Sequence, residues 1–277
     1  MRNNKTNKIL VISPKPDTFL EYFKKIWDYK NLIWVFAQRD IKVKYAQTML
    51  GITWTILQPL TALAIYSFFF GRVLNWQSDE LPFPIYVLSG LIGWNFFSYI
   101  IYQGSSSIQD AGNTIKKIYF PKSILPFSKV VTALVELVLS LLLFIPLLIY
   151  YNIPISWHIV FFPVAILFNT LCGLFPVFLI AIFAYKKRDL FHLLPYIVTF
   201  GIWLTPVFFT HNLLPKRFSF VMNLNPMANV VDFWRWTLFN YGSFDFIWII
   251  NFILVMILCI IGMYFYNQKE SEFSDYV

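Results

Sequence analysis

Charge is scarce in this sequence, and so are residues that hold metals. Asp, Glu, Lys and Arg make up 13% of its 277 residues, against about 25% in an ordinary soluble domain. Hydrophobic residues make up 58%, more than a soluble fold of this size can hide from water. The two cysteines, Cys172 and Cys259, lie inside apolar runs without metal-type spacing, and read as small buried hydrophobes. The three histidines, His158, His192 and His211, are scattered, so no ligand cluster for a catalytic metal is expected. No Gly-Lys dipeptide occurs, which excludes a Walker-type loop for cradling nucleotide phosphates. No internal repeat or low-complexity tract stands out. The apolar segment from Ile9 to Ile12 is too short for a signal-peptide core of about 7–15 residues. Insertion is expected to rest on the first membrane span.

Long apolar runs are what the chain has instead. Six of them, at 52–74, 84–103, 126–150, 157–185, 190–209 and 244–266, reach the roughly 20 residues a helix needs to cross the hydrocarbon layer. A backbone in lipid must satisfy its own hydrogen bonds, so these runs are expected to be helices. The expected fold is an all-α membrane protein with six spans. Of 22 Lys and Arg, 18 fall before the first run, around 116–129, at 186–188 or in the tail. The others are Arg72, Lys216, Arg217 and Arg235. The positive-inside rule then places both termini in the cytoplasm. The +8 net charge is topological on this reading and marks no nucleic-acid partner, although a subset can meet anionic lipid.

The chain divides into a cytoplasmic N-terminal segment at 1–48, a membrane domain at 49–267 and a cytoplasmic tail at 268–277. Thr18 with Glu21 fits a capping box. Phe19, Phe23, Ile26 and Ile33 recur behind it at near-helical spacing, interspersed with Lys24, Lys25 and Lys30. That pattern predicts an amphipathic helix, lying along the membrane surface or packed on protein. The stretch 32–48 is too charged to span. The connection at 109–125 sets Tyr119 beside Phe120 among lysines. Such rings anchor a docking partner or dip into the bilayer interface. In 210–243, Pro215 and Pro226 divide an apolar segment into pieces too short to span, which reads as re-entrant or interfacial helices.

Polar stripes mark three of the spans. Asn95, Ser98, Tyr102, Ser105 and Gln109 follow steps of three and four, as do Trp54, Gln58 and Thr61, and Arg188, His192, Tyr196, Thr199 and Trp203. Each set lies on one helix face. Polar faces inside a membrane glue helices together or line a hydrated path. The aromatic content of 21% suits sugar rings, whose CH faces stack on aromatic side chains. Glu136 is an acid within the third run, one turn from Thr132 and Ser140. Charge is expensive there, so pairing or protonation is expected. A secondary transporter would show internal symmetry. A glycan-processing enzyme would need convergent acids, and the connections on the far side carry few: Asp79, Glu80, Asp232 and Asp245.

Six motifs in order resemble one family. They are Arg39-Asp40-Ile41-Lys42-Val43-Lys44-Tyr45, Leu50-Gly51-Ile52-Thr53-Trp54-Thr55-Ile56-Leu57-Gln58-Pro59, Lys117-Ile118-Tyr119-Phe120-Pro121-Lys122, Tyr185-Lys186-Lys187-Arg188-Asp189-Leu190, Thr205-Pro206-Val207 and Leu224-Asn225-Pro226-Met227. From about Asn31 to Gln268 the chain resembles the ABC-2 type permeases that export bacterial polysaccharides, the Wzm-like O-antigen, capsule and teichoic acid group. Lys122 stands where the family typically has Arg, and Thr205-Pro206 where it often has Ser-Pro.

The resemblance implies a homodimer in the bacterial inner membrane, with twelve spans around one channel for a lipid-linked glycan. Two cytoplasmic ATPase subunits would bind ATP and magnesium, leaving this chain without a cofactor and without enzymatic activity. Gate and coupling helices would lie in 109–125, with Lys116, Lys117, Tyr119, Phe120, Pro121, Lys122, Arg39 and Asp40 coupling to the ATPase. An extracytoplasmic gate would include Asn225, Pro226, Trp234 and Trp236. Trp54, Gln58, Asn95, Ser98, Tyr102, Tyr196, Thr199 and Trp203 are the expected channel lining.

Overall fold

The computed structural model of the chain describes residues 18–46, 48–76, 80–184, 189–210, 215 and 219–273. Every regular element among them is helical. Thr18 and Glu21 form the capping box, and the Glu21 carboxylate accepts the Thr18 N–H at 3.1 Å. Its hydrogen bonds with Thr18 hold the Glu21 carboxyl below its usual range. α1 (Phe19–Asp28) follows, and α2 (Lys30–Tyr45) begins after a joint at Tyr29. α1 is apolar on two sides. Tyr22 and Ile26 are buried on the bundle, while Leu20, Phe23 and Trp27 stay exposed. The helix is therefore packed on protein through Tyr22 and Ile26, and the exposed trio leaves a second apolar face uncovered.

Among the described residues, five rods are long and apolar enough to cross a membrane: Gly51–Val73, Phe83–Asp110, Ile124–Tyr151, Trp157–Ala184 and Phe246–Lys269. The first contains α3 (Trp54–Tyr66), which widens into a π-helical stretch at Ser67–Val73. The second is α4 (Phe83–Asp110). After the single turn α5 (Gly112–Ile115), α6 (Ile124–Leu141) and α7 (Phe144–Tyr151) make the third. α8 (Phe162–Ala184) forms most of the fourth.

The fifth apolar run, 190–209, differs from expectation. Helix occupies only Asp189–Leu204, as α9 (Asp189–Gly201) and a 3-10 turn at Ile202–Leu204. Thr205 is extended, with φ −118° and ψ 137°, because Pro206 crowds a helical residue before it and supplies no N–H. The helical part is about 26 Å long, short of a hydrocarbon layer of about 30 Å. Beyond it come two short helices, α10 (Ser219–Leu224) and α11 (Pro226–Phe239). Pro226 opens α11, where its missing N–H is not needed. α12 (Phe246–Lys269) completes the bundle.

α4 is the central helix, packed along α6 and α8, while α12 and α11 pack on α8 and α2 runs along α6. Two reciprocal glycines set the approach of α4 to α8. A Cβ on Gly104 would meet Val177 Cγ2 at 2.8 Å, and one on Gly173 would meet Ile100 Cγ2 at 2.8 Å. Small residues at such crossings let helices close on each other where lipid provides no hydrophobic drive. Asn169 adds a buried hydrogen bond from α8 to the Gly93 carbonyl at 2.9 Å.

Candidate functional site

A cavity of about 610 Å³ lies between α3, α4, α6 and α9. Part of each polar stripe reaches it, although Thr61 and His192 do not. Trp54 and Gln58 reach it from α3, Asn95, Ser98 and Tyr102 from α4, and Thr199 and Trp203 from α9 and its last turn. Glu136 and Ser140 line it from α6. Tyr196 does not join them. It lies outside the cavity and is 63% exposed. α9 buries Leu194 and Val198, and Tyr196 is two positions from each, about 200° round the helix. On α4 the stripe also divides, because Ser105 is buried in the bundle and neither it nor Gln109 reaches the cavity. Arg188 lies outside the described residues.

One end of the cavity wall is backed by rings. Tyr66 and Trp203, both in its wall, pack on the buried Phe208 at 4.2 and 5.5 Å between centroids. Phe70, in the π-helical stretch, stacks on Phe208 at 5.6 Å and 9°. The Thr205-Pro206 break supplies this backing, since it places Phe208 against Tyr66 and Trp203 instead of continuing the helix.

The opposite end is charged. Lys44 Nζ lies 2.6 Å from Glu136 Oε1, and Tyr45 donates to the same carboxylate oxygen at 3.4 Å. The Tyr45 hydroxyl also meets Thr55 Oγ1 at the start of α3. Glu136 is thus paired from another helix, and not by Thr132 or Ser140 of its own. α2 makes three contacts at steps of four. Phe36 packs on Phe120 at 5.5 Å, Asp40 meets Lys129 at 2.6 Å, and Lys44 meets Glu136. Residues four apart share a helix face, so one face of α2 joins the 116–122 connection to the charged end of the cavity.

The expected coupling residues separate into two groups. Lys116, Lys117 and Tyr119 are exposed. Phe120, Pro121 and Lys122 are buried, Phe120 with 3% of its surface accessible. Phe120 is therefore an internal anchor against α2, and its place at the surface is taken by Ile118 beside Tyr119. Lys122 turns inward to the C-terminal end of α12, donating its backbone N–H to Glu270 Oε1 at 2.8 Å. Asp40 holds Lys129 and, at 2.8 Å, its neighbour Arg39, so this part of the set is an ion cluster inside the protomer.

The residues expected at the other gate are anchors. Asn225 caps α11 by accepting the Met227 N–H at 3.0 Å and donates to the Leu204 carbonyl at 2.8 Å. That ties α11 to the broken end of α9. Trp234 is fully buried and donates to the Ala165 carbonyl at 3.2 Å. Trp236 is the hub of a ring cluster, with His158 at 4.2 Å and Phe244 at 5.4 Å. Between the two tryptophans sits Arg235, with no exposed surface. It donates to Ser89 Oγ at 3.2 Å, the Tyr86 carbonyl at 3.1 Å and the Val207 carbonyl at 3.2 Å. Its guanidinium carbon is 3.5 Å from the Tyr86 ring centroid. Arg235 thus locks the first turns of α4 to the segment after the Thr205-Pro206 break.

Over residues 31–239 the chain matches the ABC-2 type transporter family. It belongs to that family. This ABC-2 chain is 31% identical over 210 residues to the O-antigen export system permease protein RfbA of Myxococcus xanthus, covering 75% of this chain and 80% of that protein. It is 26% identical over 259 residues to RfbA of Klebsiella pneumoniae, covering 88% and 94%. Similarity to the polysialic acid transport protein KpsM of Escherichia coli is 22% over 205 residues, covering 71% and 77%. The chain is therefore a multi-pass membrane component of an ABC transporter, with an ATP-binding partner implied. The enzyme and secondary-transporter alternatives give way to it.

Sequence reasoning about this ABC-2 permease missed Lys44 and Tyr45 as cavity residues, and Arg235 as a buried lock. The two charges look like ordinary topological charge in the sequence. The steps of four from Phe36 to Lys44 were the available signal for the first. Asp232, three residues before Arg235 and 3.5 Å from it, was a weaker signal for the second.

Proposed function

We propose that this permease is the channel-forming subunit of a system exporting a lipid-linked polysaccharide, of O-antigen, capsule or teichoic acid type, across a bacterial inner membrane. The observation that carries this reading is the convergence of Trp54, Gln58, Asn95, Ser98, Tyr102, Thr199 and Trp203 on one cavity. Indole and phenol faces stack on the CH faces of sugars, while amides and hydroxyls meet sugar hydroxyls. Such a wall tolerates many sugars, as a processive exporter requires. The names of the O-antigen and polysialic acid relatives agree with this substrate class.

Two copies complete the channel on this reading. The faces of α3 and α9 beside the cavity stay exposed, with Trp54, Ile65, Ile197 and Phe200 on them, and a second copy covers them. Each protomer crosses six times, α9 and the 205–209 segment together making the fifth crossing. Both termini lie in the cytoplasm, with 210–243 on the far side, and the exposed Leu20, Phe23 and Trp27 of α1 rest in the membrane surface. One ATPase docks on each protomer at Lys116, Lys117 and Tyr119, bringing ATP and magnesium. The test is reconstitution of the permease with its ATP-binding partner in proteoliposomes loaded with a lipid-linked glycan. ATP-dependent appearance of glycan on the far side is the expected result. ATP hydrolysis without any glycan movement, across O-antigen, capsule and teichoic acid substrates, would overturn it.

A further inference from the structure

Three segments far apart in the chain meet at one carboxylate. Glu270, just past the end of α12, accepts the Lys122 backbone N–H on Oε1 at 2.8 Å and the Tyr22 hydroxyl on Oε2. The Lys122 ammonium in turn donates to the Glu270 carbonyl. Phe273 seals the junction. It is fully buried, edge-on to Tyr266 at 5.1 Å, with the Lys122 ammonium 5.9 Å from its ring centroid. Tyr22 is 2% exposed. Burial, and then the neighbouring carboxylate, push its hydroxyl far above the usual range, so it stays protonated and donating.

This junction borders the exposed group at 116–119. Phe120 is held by Phe36 of α2, and two positions later Lys122 is held by Glu270. The connection is pinned on both sides of Pro121. Pinning a loop in one conformation removes the ordering cost that a partner would otherwise have to offset on binding. We propose that Glu270 is a positioning residue for the ATPase-docking surface, clasping Lys122 to Tyr22 so that Lys116, Lys117 and Tyr119 are presented in one arrangement. The inference rests on reading these three residues as the docking surface.

The experiment measures binding of the purified ATP-binding partner to the full-length permease in nanodiscs. Glu270→Ala should weaken binding about fivefold or more, the lower end of coupling between distinct sites. Glu270→Gln should bind like the parent, because its amide oxygen still accepts the Lys122 N–H and its NH2 still reaches the Tyr22 oxygen. Tyr22→Phe removes one hydroxyl, with little risk to folding, and should fall between them. Lys269→Ala, whose ammonium pairs with Glu272 at the surface, should change nothing. The clasp is wrong if Glu270→Ala and Tyr22→Phe bind like the parent while Tyr119→Ala weakens binding. It is equally wrong if Glu270→Gln is as weak as Glu270→Ala. If Tyr119→Ala and Lys117→Ala also have no effect, the docking reading itself falls, and the clasp with it.

Discussion

Lys44 and Glu136, 92 positions apart in the chain, form a 2.6 Å ion pair at one end of the central cavity. Lys44 also sits 4.8 Å from the ring centroid of Tyr99, so the ammonium is held by a carboxylate and a π face together. Its side chain is 42% exposed and that of Glu136 17%. Such a pair is tight enough to position α2, yet wet enough to break and re-form. Deleting Lys44 leaves the carboxylate uncompensated in a partly closed space, which costs more than losing both charges.

A double-mutant cycle tests that statement. Lys44→Met and Glu136→Met should each lower thermal stability in detergent. The double variant should recover part of the loss, with a coupling energy of about 1 kcal/mol or more. Additive effects, within about 0.3–0.5 kcal/mol, would show that the pair does not hold α2 to α6.

Water access should follow the division of the α4 stripe. In a variant without its native cysteines, Ser98→Cys and Thr199→Cys should react with a water-borne thiol reagent, since both positions line the cavity. Ser105→Cys should stay unreactive, because Ser105 is 1% exposed within the bundle. Equal protection of all three positions in every nucleotide state would reduce the stripe to helix-to-helix packing.

The neighbours Tyr119 and Phe120 should behave oppositely. Phe120→Ala empties a buried site against Phe36 and should destabilise the protein by about 3–5 kcal/mol, seen as low membrane abundance and a lowered Tm. Tyr119→Ala should fold normally and weaken ATPase co-purification. A Tm unchanged by Phe120→Ala would contradict the packing of α2 on the connection.

Arg235 should be intolerant of truncation. Arg235→Ala removes the guanidinium's hydrogen bonds to Ser89, Tyr86 and Val207 and leaves a void, a loss of about 3–5 kcal/mol for a broken buried charge site. Arg235→Lys should rescue it only in part, because an ammonium lacks the planar fork that reaches Ser89, Tyr86 and Val207 together. Thermal unfolding of both variants in detergent checks this. Equal stability of Arg235→Lys and the parent would mean that charge alone, and not the fork, holds the segment.

The sequence by itself determined the all-helical membrane class, five of the six long rods to within a few residues at most of their ends, the Thr18–Glu21 cap, and part of the cavity wall. These follow from periodic patterns, and the backbone's need to satisfy itself in lipid leaves a long apolar run only one local structure. Trp54, Gln58, Asn95, Ser98, Tyr102, Thr199 and Trp203 could be found because each lies on a polar face of an otherwise apolar helix. Only the tertiary structure decided where each remaining group points. Pro206 stops the fifth span's helix and sets Phe208 against Tyr66 and Trp203. Phe120 turns in while Tyr119 turns out, and Tyr196 faces away from the wall that Thr199 joins. Lys44, Lys122 and Arg235 count alike in a charge tally, yet they end at Glu136, Glu270 and the carbonyls of Tyr86 and Val207. Those partners lie 28 to 149 positions away from them. A periodicity reports only its own helix, and a pairing over such distances exists only once the helices have packed.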